Sequence, residues 1–300
     1  GVELYPETPF KYGSFIFSLN FRNHRKIAII DNEIGFTGGV VVIESSNSIT
    51  FNADINVNGS GFLGGQISVG SFACGDPNWA NMNGGQKGEG IAEAPNNQAE
   101  NRAPLANGGG GSNTGNPGAG GGANGGSGGR GGNEWYGSCA LNASIGIGGY
   151  ALDYSGDKAF LGGGGGGGYK DNGLNCTAGA NGGGVVFLIS PTISGNGFTI
   201  DASGANVIGN TDSEGAGAGG AGGCVYIAAQ DILSELNVKV EGGTGGDIWS
   251  TLWQTACHGP GGGGGGLDAA GIPLRRPLAD AAVSGGGVLG GLAPPGRRAR

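Results

Sequence analysis

Apolar residues in this chain arrive in short bursts, and three of those bursts share one frame. GGVVVIESSNSITFNADINVNGSG runs from Gly38 to Gly61, GGVVFLISPTISGNGFTIDASG from Gly183 to Gly204, and GGCVYIAAQDILSELNVKVEGG from Gly222 to Gly243. Each opens on a Gly pair, continues through four or five apolar residues and a polar turn, and closes on an alternating stretch. Period-two alternation puts Ile55 and Val57, then Phe198, Ile200 and Ala202, then Leu236, Val238 and Val240, each set on one face of a strand. The unbroken opening bursts read as strands buried on both sides. Helical periodicity is nearly absent, and the best candidate is a short turn around Asp231 to Glu235.

Repeated strand–turn–strand units with Gly at the corners bury their apolar faces only against one another. The pattern therefore predicts an all-β protein: a Gly-rich parallel β-solenoid or a stacked β-sandwich, with long Gly-rich loops and a disordered C-terminal tail. The second and third repeats start 39 residues apart, whereas 145 residues separate the first from the second. Inside that long insertion, GGSGGRGGN (Gly125 to Asn133) keeps a strict three-residue period. Such a period suits a polyproline II strand with Gly facing a neighbouring backbone, or a flexible linker. Changes of composition divide the chain into residues 1–39, a Gly-rich β-repeat region at 40–266, and a tail at 267–300 that holds five of the nine Arg and no Lys.

Composition sharpens this picture, because 75 of the 300 residues are Gly, against about 7% in ordinary domains. Gly loses the most backbone freedom on folding and has no side chain to bury, so an ordinary α/β core along the whole chain is excluded. The net charge of −8 and a pI near 4.7 leave no clustered Lys and Arg for phosphate backbones, so nucleic acid is not an expected partner. No run of 18 apolar residues exists, so no integral membrane helix is expected. The chain starts at Gly1 with no initiator Met or signal pattern, which is expected of a fragment or a processed product. Of five Cys, Cys74, Cys139, Cys176 and Cys257 lie beside loop residues and suit one or two disulfides in an oxidising compartment, whereas Cys224 begins an apolar strand and suits burial.

The candidate chemistry lies at the N-terminus, in NHRKIAIIDNEIGFTGG (Asn23 to Gly39). His24-x-Lys26, four residues, Asp31, then six residues to Gly38-Gly39 resembles the H-x-K-x4-D signature of the phospholipase D superfamily. Together with GVELYP upstream, it resembles the bacterial cardiolipin synthases of that superfamily over residues 1–39. A histidine beside a fixed cation suits attack on phosphorus, with the ammonium balancing charge on the phosphoryl oxygens. The resemblance implies that His24 forms a phosphohistidine or acts as its acid partner, that Lys26 contacts the phosphate, and that Asp31 orders the network. It also implies a second motif facing the first, and this chain departs from the family there. The other histidine, His258 in CHGPGG, has Pro260 where a Lys is required, and Val41 stands where the family usually carries Asn.

The remaining motifs yield less. GGGGGGG (Gly162 to Gly168) contains GxGxxG only trivially, with no strand–helix context, so no cofactor is expected. GGTGGDIWS (Gly242 to Ser250) matches one copy of a Ca²⁺-binding β-roll repeat and makes Asp247 the sole metal candidate, with a simple turn as the other reading. Trp79, Trp135, Tyr136, Tyr150, Tyr154, Trp249 and Trp253 sit in short polar motifs between Gly runs, where they either stack on sugars and other surfaces or staple loops to the core. Segments such as INVNGSGFLGGQ, RAPLANGGGGSN, GGNEW, GGYALDY, GGGGGGGYKDN, GANGGGVVFLI and CHGPGGGGGG resemble the Gly-rich regions of large secreted surface proteins from gliding bacteria of the Bacteroidetes type. Two functions follow as expectations. One is a non-catalytic extracellular or cell-surface module, structural or adhesin-like, whose partners would be surface glycans or other surface proteins. The other is a phospholipase D-like phosphodiesterase or phosphatidyltransferase half-site that works as a homodimer through His24. The sequence leaves the oligomeric state open.

Overall fold

The computed structural model describes residues 27–30, 33–36, 39–71, 81–95, 98–133, 145–155, 158–172, 175–212, 214–248, 261–262 and 264–265, of which 27–30, 33–36, 81 and 82 are described by backbone alone. Every regular element among them is a strand, and no helix occurs. β1 (Ile27–Ile30) and β2 (Glu33–Phe36) form an antiparallel pair in which Ile27 faces Phe36 and Ile30 faces Glu33. The first repeat supplies β3 (Val40–Glu44), β4 (Ser48–Thr50) and β5 (Ile55–Asn56). β6 (Ser68–Val69), β7 (Asn81–Gln86) and β8 (Tyr169–Lys170) follow, and β6 pairs with β8 in parallel. The second repeat supplies β9 (Val185–Ile189), β10 (Thr192–Ser194) and β11 (Thr199–Asp201); the third supplies β12 (Cys224–Ala228), β13 (Asp231–Ser234) and β14 (Asn237–Lys239).

The three repeats pair strand for strand. Three parallel sheets run β12-β9-β3, β13-β10-β4 and β14-β11-β5, so the second repeat lies between the other two in every sheet. Val185 faces Val40 on one side and Cys224 on the other, and Ile200 faces Ile55 and Val238. The alternating residues named from sequence line one shared interior: Ile55, Val57, Ile200, Ala202, Leu236 and Val240 are buried together with Val41, Val186, Leu188 and Ile193, and Phe198 and Val238 pack against them. Each fully buried Ile or Leu contributes roughly 1.5–3 kcal/mol.

Position in the stack decides how far each opening burst is buried. In β9, flanked on both sides, Val185 to Leu188 are all buried, with Val186 and Leu188 facing the shared interior. Val185 and Phe187 face a second cluster with Ala159 and Cys224. In β3, at the sheet edge, Val42 is 40% exposed, so burial on both faces does not extend to the outer repeats. The turn expected around Asp231 to Glu235 is strand β13, because Asp231 and Ile232 pair with Thr192 and Ile193 and those main-chain bonds override the local preference.

The Gly-rich segments are where expectation and structure part most. They were expected to be long loops, yet residues 162–168 are buried throughout and make no hydrogen bond among themselves. Their N–H groups point in three directions in rotation. Gly162, Gly165 and Gly168 donate to the carbonyls of Gly183, Ala180 and Thr177; Gly163 and Gly166 to Ala123 and Gly120; Gly164 and Gly167 to Glu89 and Gln86. Their carbonyls accept with the same rotation, from Phe62, Gly65 and Ser68, from Ala221 and Ala218, and from Gly109 and Ser112. The donor–acceptor distances run from 2.7 to 3.2 Å. One extended segment is thus enclosed by six others, with the threefold periodicity and absence of internal bonds that mark a polyproline II helix.

Close approach explains the seven consecutive glycines. A Cβ built on any residue from 162 to 168 would lie 1.9–2.3 Å from a main-chain oxygen of a neighbouring segment. Residues 118–123 repeat the scheme, bonding in turn to 132, 216, 110, 129, 219 and 107. In GGSGGRGGN, Gly128 and Gly131 lie against Gly121 and Gly118, while Ser127 and Arg130 are exposed; the three-residue period is that of an extended helix packed on one side. The lattice continues directly into the sheets, since residues 179–184 lead into β9 and residues 215–223 into β12. Side-chain amides serve where the main-chain lattice is interrupted. Asn124 Nδ2 donates to the carbonyls of Gly222 and Gly223, and Asn181 Oδ1 accepts from the N–H of Gly64.

Candidate functional site

His24, Lys26 and Asp31, and with them His258, lie outside the described residues. The described part of that motif is the β1–β2 pair, whose first strand directly follows Lys26 and directly precedes Asp31 in the chain. The chain between the cation and the carboxylate is the apolar strand IAII.

Among the described residues, polar chemistry concentrates at two buried places. At the first, Lys87 lies beneath the surface and its Nζ donates to the carbonyls of Asn101 (3.0 Å) and Ala103 (2.6 Å). Burial pulls its pKa down from 10.5 to about 8, because the charged ammonium loses its water.

The second place lies where the segment leaving Tyr169 meets the segment entering at Glu214. The Glu214 side chain is fully buried. Its carboxylate accepts from the main-chain N–H groups of Asp171 (3.2 Å) and Asn172 (3.4 Å). The Asp171 carboxyl is a hydrogen-bonding neighbour of Glu214, and burial first, with Asp171 adding to it, pushes the Glu214 carboxyl up to about 7. Asn116 Nδ2 donates to Asp171 Oδ1 at 3.3 Å. Thr211 Oγ1 donates to the carbonyls of Asn175 (2.7 Å) and Glu214 (3.1 Å). Cys176 Sγ donates to the carbonyl of Gly215 at 3.1 Å.

Sequence reading missed this cluster. Its available signal was Glu214 itself, an ionisable residue standing directly before GAGAGG in a chain where only 13% of residues are charged.

Asp247 is exposed, and its main-chain carbonyl accepts from Thr211 N–H at 3.1 Å. No group of three His, Cys, Asp or Glu residues suited to a metal forms among the described residues. Tyr154 is a staple: its ring meets Phe160 edge-on at 5.2 Å, and its hydroxyl donates to Asn124 Oδ1. Tyr150, 59% exposed, is not a staple. Trp79, Trp135, Tyr136, Trp249 and Trp253 lie outside the described residues. Cys224 is buried and free, as its place at the head of β12 suggests. Cys176, expected among the disulfide candidates, is also a free thiol, because it packs into the lattice against Gly215. Cys74, Cys139 and Cys257 lie outside the described residues. No helix among the described residues is long and apolar enough to cross a membrane.

Comparison with known proteins finds similarity over a short segment. Over 42 residues, 14% of this chain, it is 60% identical to the probable cardiolipin synthase YwiE of Bacillus subtilis (strain 168). Over 40 residues it is 50% identical to a cardiolipin synthase of Geobacillus sp. (strain WCH70), and over 40 residues 48% identical to one of Halalkalibacterium halodurans. The chain spans about 8% of the length of each of these relatives. No family model matches the chain, and no solved structure matches it.

Proposed function

We propose that the N-terminal segment is one half of a phospholipase D-type phosphodiester centre, acting as a phosphodiesterase or phosphatidyltransferase when two copies of the chain meet. The carrying observation is the 60% identity over 42 residues to a probable cardiolipin synthase, a length close to that of residues 1–39, which contain the H-x-K-x4-D spacing. In this reading His24 attacks phosphorus, the P–O bond to the leaving alcohol breaks, and the second copy's histidine protonates that alcohol. Water or an acceptor hydroxyl then displaces His24 from the phosphohistidine. Lys26 neutralises the phosphoryl oxygens and Asp31 orders the pair. The test compares the parent with His24→Ala on a chromogenic phosphodiester. A fall of about a hundredfold or more is expected, and equal turnover by the two proteins sinks the proposal.

A second reading applies to residues 39–265, and the enclosed glycine segment favours it. We infer that this part is a non-catalytic structural module: a short three-turn β-solenoid continued by a polyglycine lattice, secreted or held at a cell surface, with surface glycans or other surface proteins as its partners. Support comes from main-chain bonds that fix 162–168 on all sides. Binding to a glycan panel by the parent and by Tyr150→Ala tests the adhesive element. Unchanged binding by the variant, or none by the parent, removes it.

A further inference from the structure

We propose that Glu214, Asp171 and Asn116 form a binding site for a hard divalent cation of the calcium class. The Glu214 and Asp171 carboxyl groups are hydrogen-bonding neighbours, and Asn116 joins them. It is 3% exposed, and its Oδ1 is the one buried side-chain oxygen or nitrogen among the described residues that has no hydrogen-bond partner. Its amide is held against Asp171 by a long Nδ2–Oδ1 contact of 3.3 Å, which leaves the orphaned oxygen one amide group away from the Asp171 carboxylate. Turning the amide over does not repair this, because it sets Oδ1 against the Asp171 carboxylate oxygen.

A proton shared between Glu214 and Asp171 leaves the Asn116 oxygen without a donor, whereas a cation accepts all three side chains as oxygen ligands. Calcium takes six to eight oxygens at about 2.3–2.6 Å in flexible geometry. Each Glu214 oxygen already receives one main-chain N–H and keeps a further lone pair for an ion. Asp171 is half-buried, so the place opens to solvent on that side. The nearby ionisable groups are Lys170, Asp212, Tyr169 and Cys176, and Cys176, as a buried thiol beside Glu214, stays neutral.

The experiment is calorimetric titration of the chelator-stripped full chain with calcium chloride, paired with thermal unfolding in calcium and in chelator. One calcium per chain and a calcium-dependent rise in Tm are expected for the parent. Glu214→Gln and Asp171→Asn are each expected to weaken binding by about tenfold or more, while Asn116→Asp retains it. If Glu214→Gln fails to fold, the half-exposed Asp171→Asn carries the comparison. No calcium binding by the parent, or unchanged binding by both variants, overturns the proposal. So does a rise in Tm for Glu214→Gln that is independent of calcium, since it identifies a shared proton instead.

Discussion

A single methyl group is the sharpest probe of the glycine lattice. A Cβ on residue 165 would sit 2.0 Å from the main-chain oxygen of Ala218, and an oxygen in a hydrogen-bonded backbone has little room to retreat. Gly165→Ala should therefore cost more than the ~1–3 kcal/mol of ordinary overpacking, whereas Ser127→Ala, exposed on the same kind of segment, should stay within about 0.5 kcal/mol. Thermal unfolding of the two variants checks this, and equal midpoints would contradict the packing described. Lys87 supplies a pH signature. Its pKa is about 8 when folded and 10.5 by its ordinary value, so between those limits the unfolded chain holds the proton and the folded protein does not. Its contribution to stability rises with pH across that window and is lost as pH falls through about 8. The stability of the parent relative to Lys87→Met should rise from pH 8 to 10.5, as measured by denaturant unfolding; a flat difference would exclude it. The buried thiols give a third test. Burial pushes Cys176 up to about 12 and Cys224 to about 11, so neither supplies thiolate near neutral pH. Both should escape iodoacetamide in the native protein and react after unfolding, as read by peptide mapping.

At the scale of elements, the middle repeat carries the sheets. Ile200 is fully buried and pairs on both sides, with Ile55 and Val238. Ile200→Ala should cost about 2–5 kcal/mol, while Leu233→Ala, 65% exposed on β13, should be close to neutral in the same denaturant titration. The strand faces were legible in the sequence because alternation and burial coincide at Ile55, Val57, Ile200, Ala202, Leu236 and Val240. The Asp231 turn was misread because its local composition carries no trace of Thr192, the residue it pairs with across the stack. Residues 162–168 were illegible for a related reason. Seven identical residues have no pattern, and what makes them a core is the set of six neighbours rather than anything in the run itself. Only GGSGGRGGN, with Ser and Arg at every third place, exposed the period in the text. The Glu214 site was hidden likewise, since its three side chains stand at 116, 171 and 214 and converge only through the lattice.

For the whole molecule, the apolar interior and the glycine lattice form one continuous main-chain network, because residues 179–184 and 215–223 belong to the lattice and lead directly into β9 and β12. Amides of residues 162–168 should therefore exchange with solvent as slowly as those of β9, despite having the composition of a linker. Exchange of that run within seconds, measured by mass spectrometry, would refute a shared network. The enclosure of 162–168 also sets an order of events during synthesis. Four of its neighbours, at 62–68, 86–89, 109–112 and 120–123, precede it in the chain, but those at 177–183 and 218–221 have yet to leave the ribosome when Gly168 emerges. The glycine run must wait, hydrated and unpaired along two of its sides, until Ala221 has been translated, so a nascent chain stalled short of that point has no finished interior to protect it.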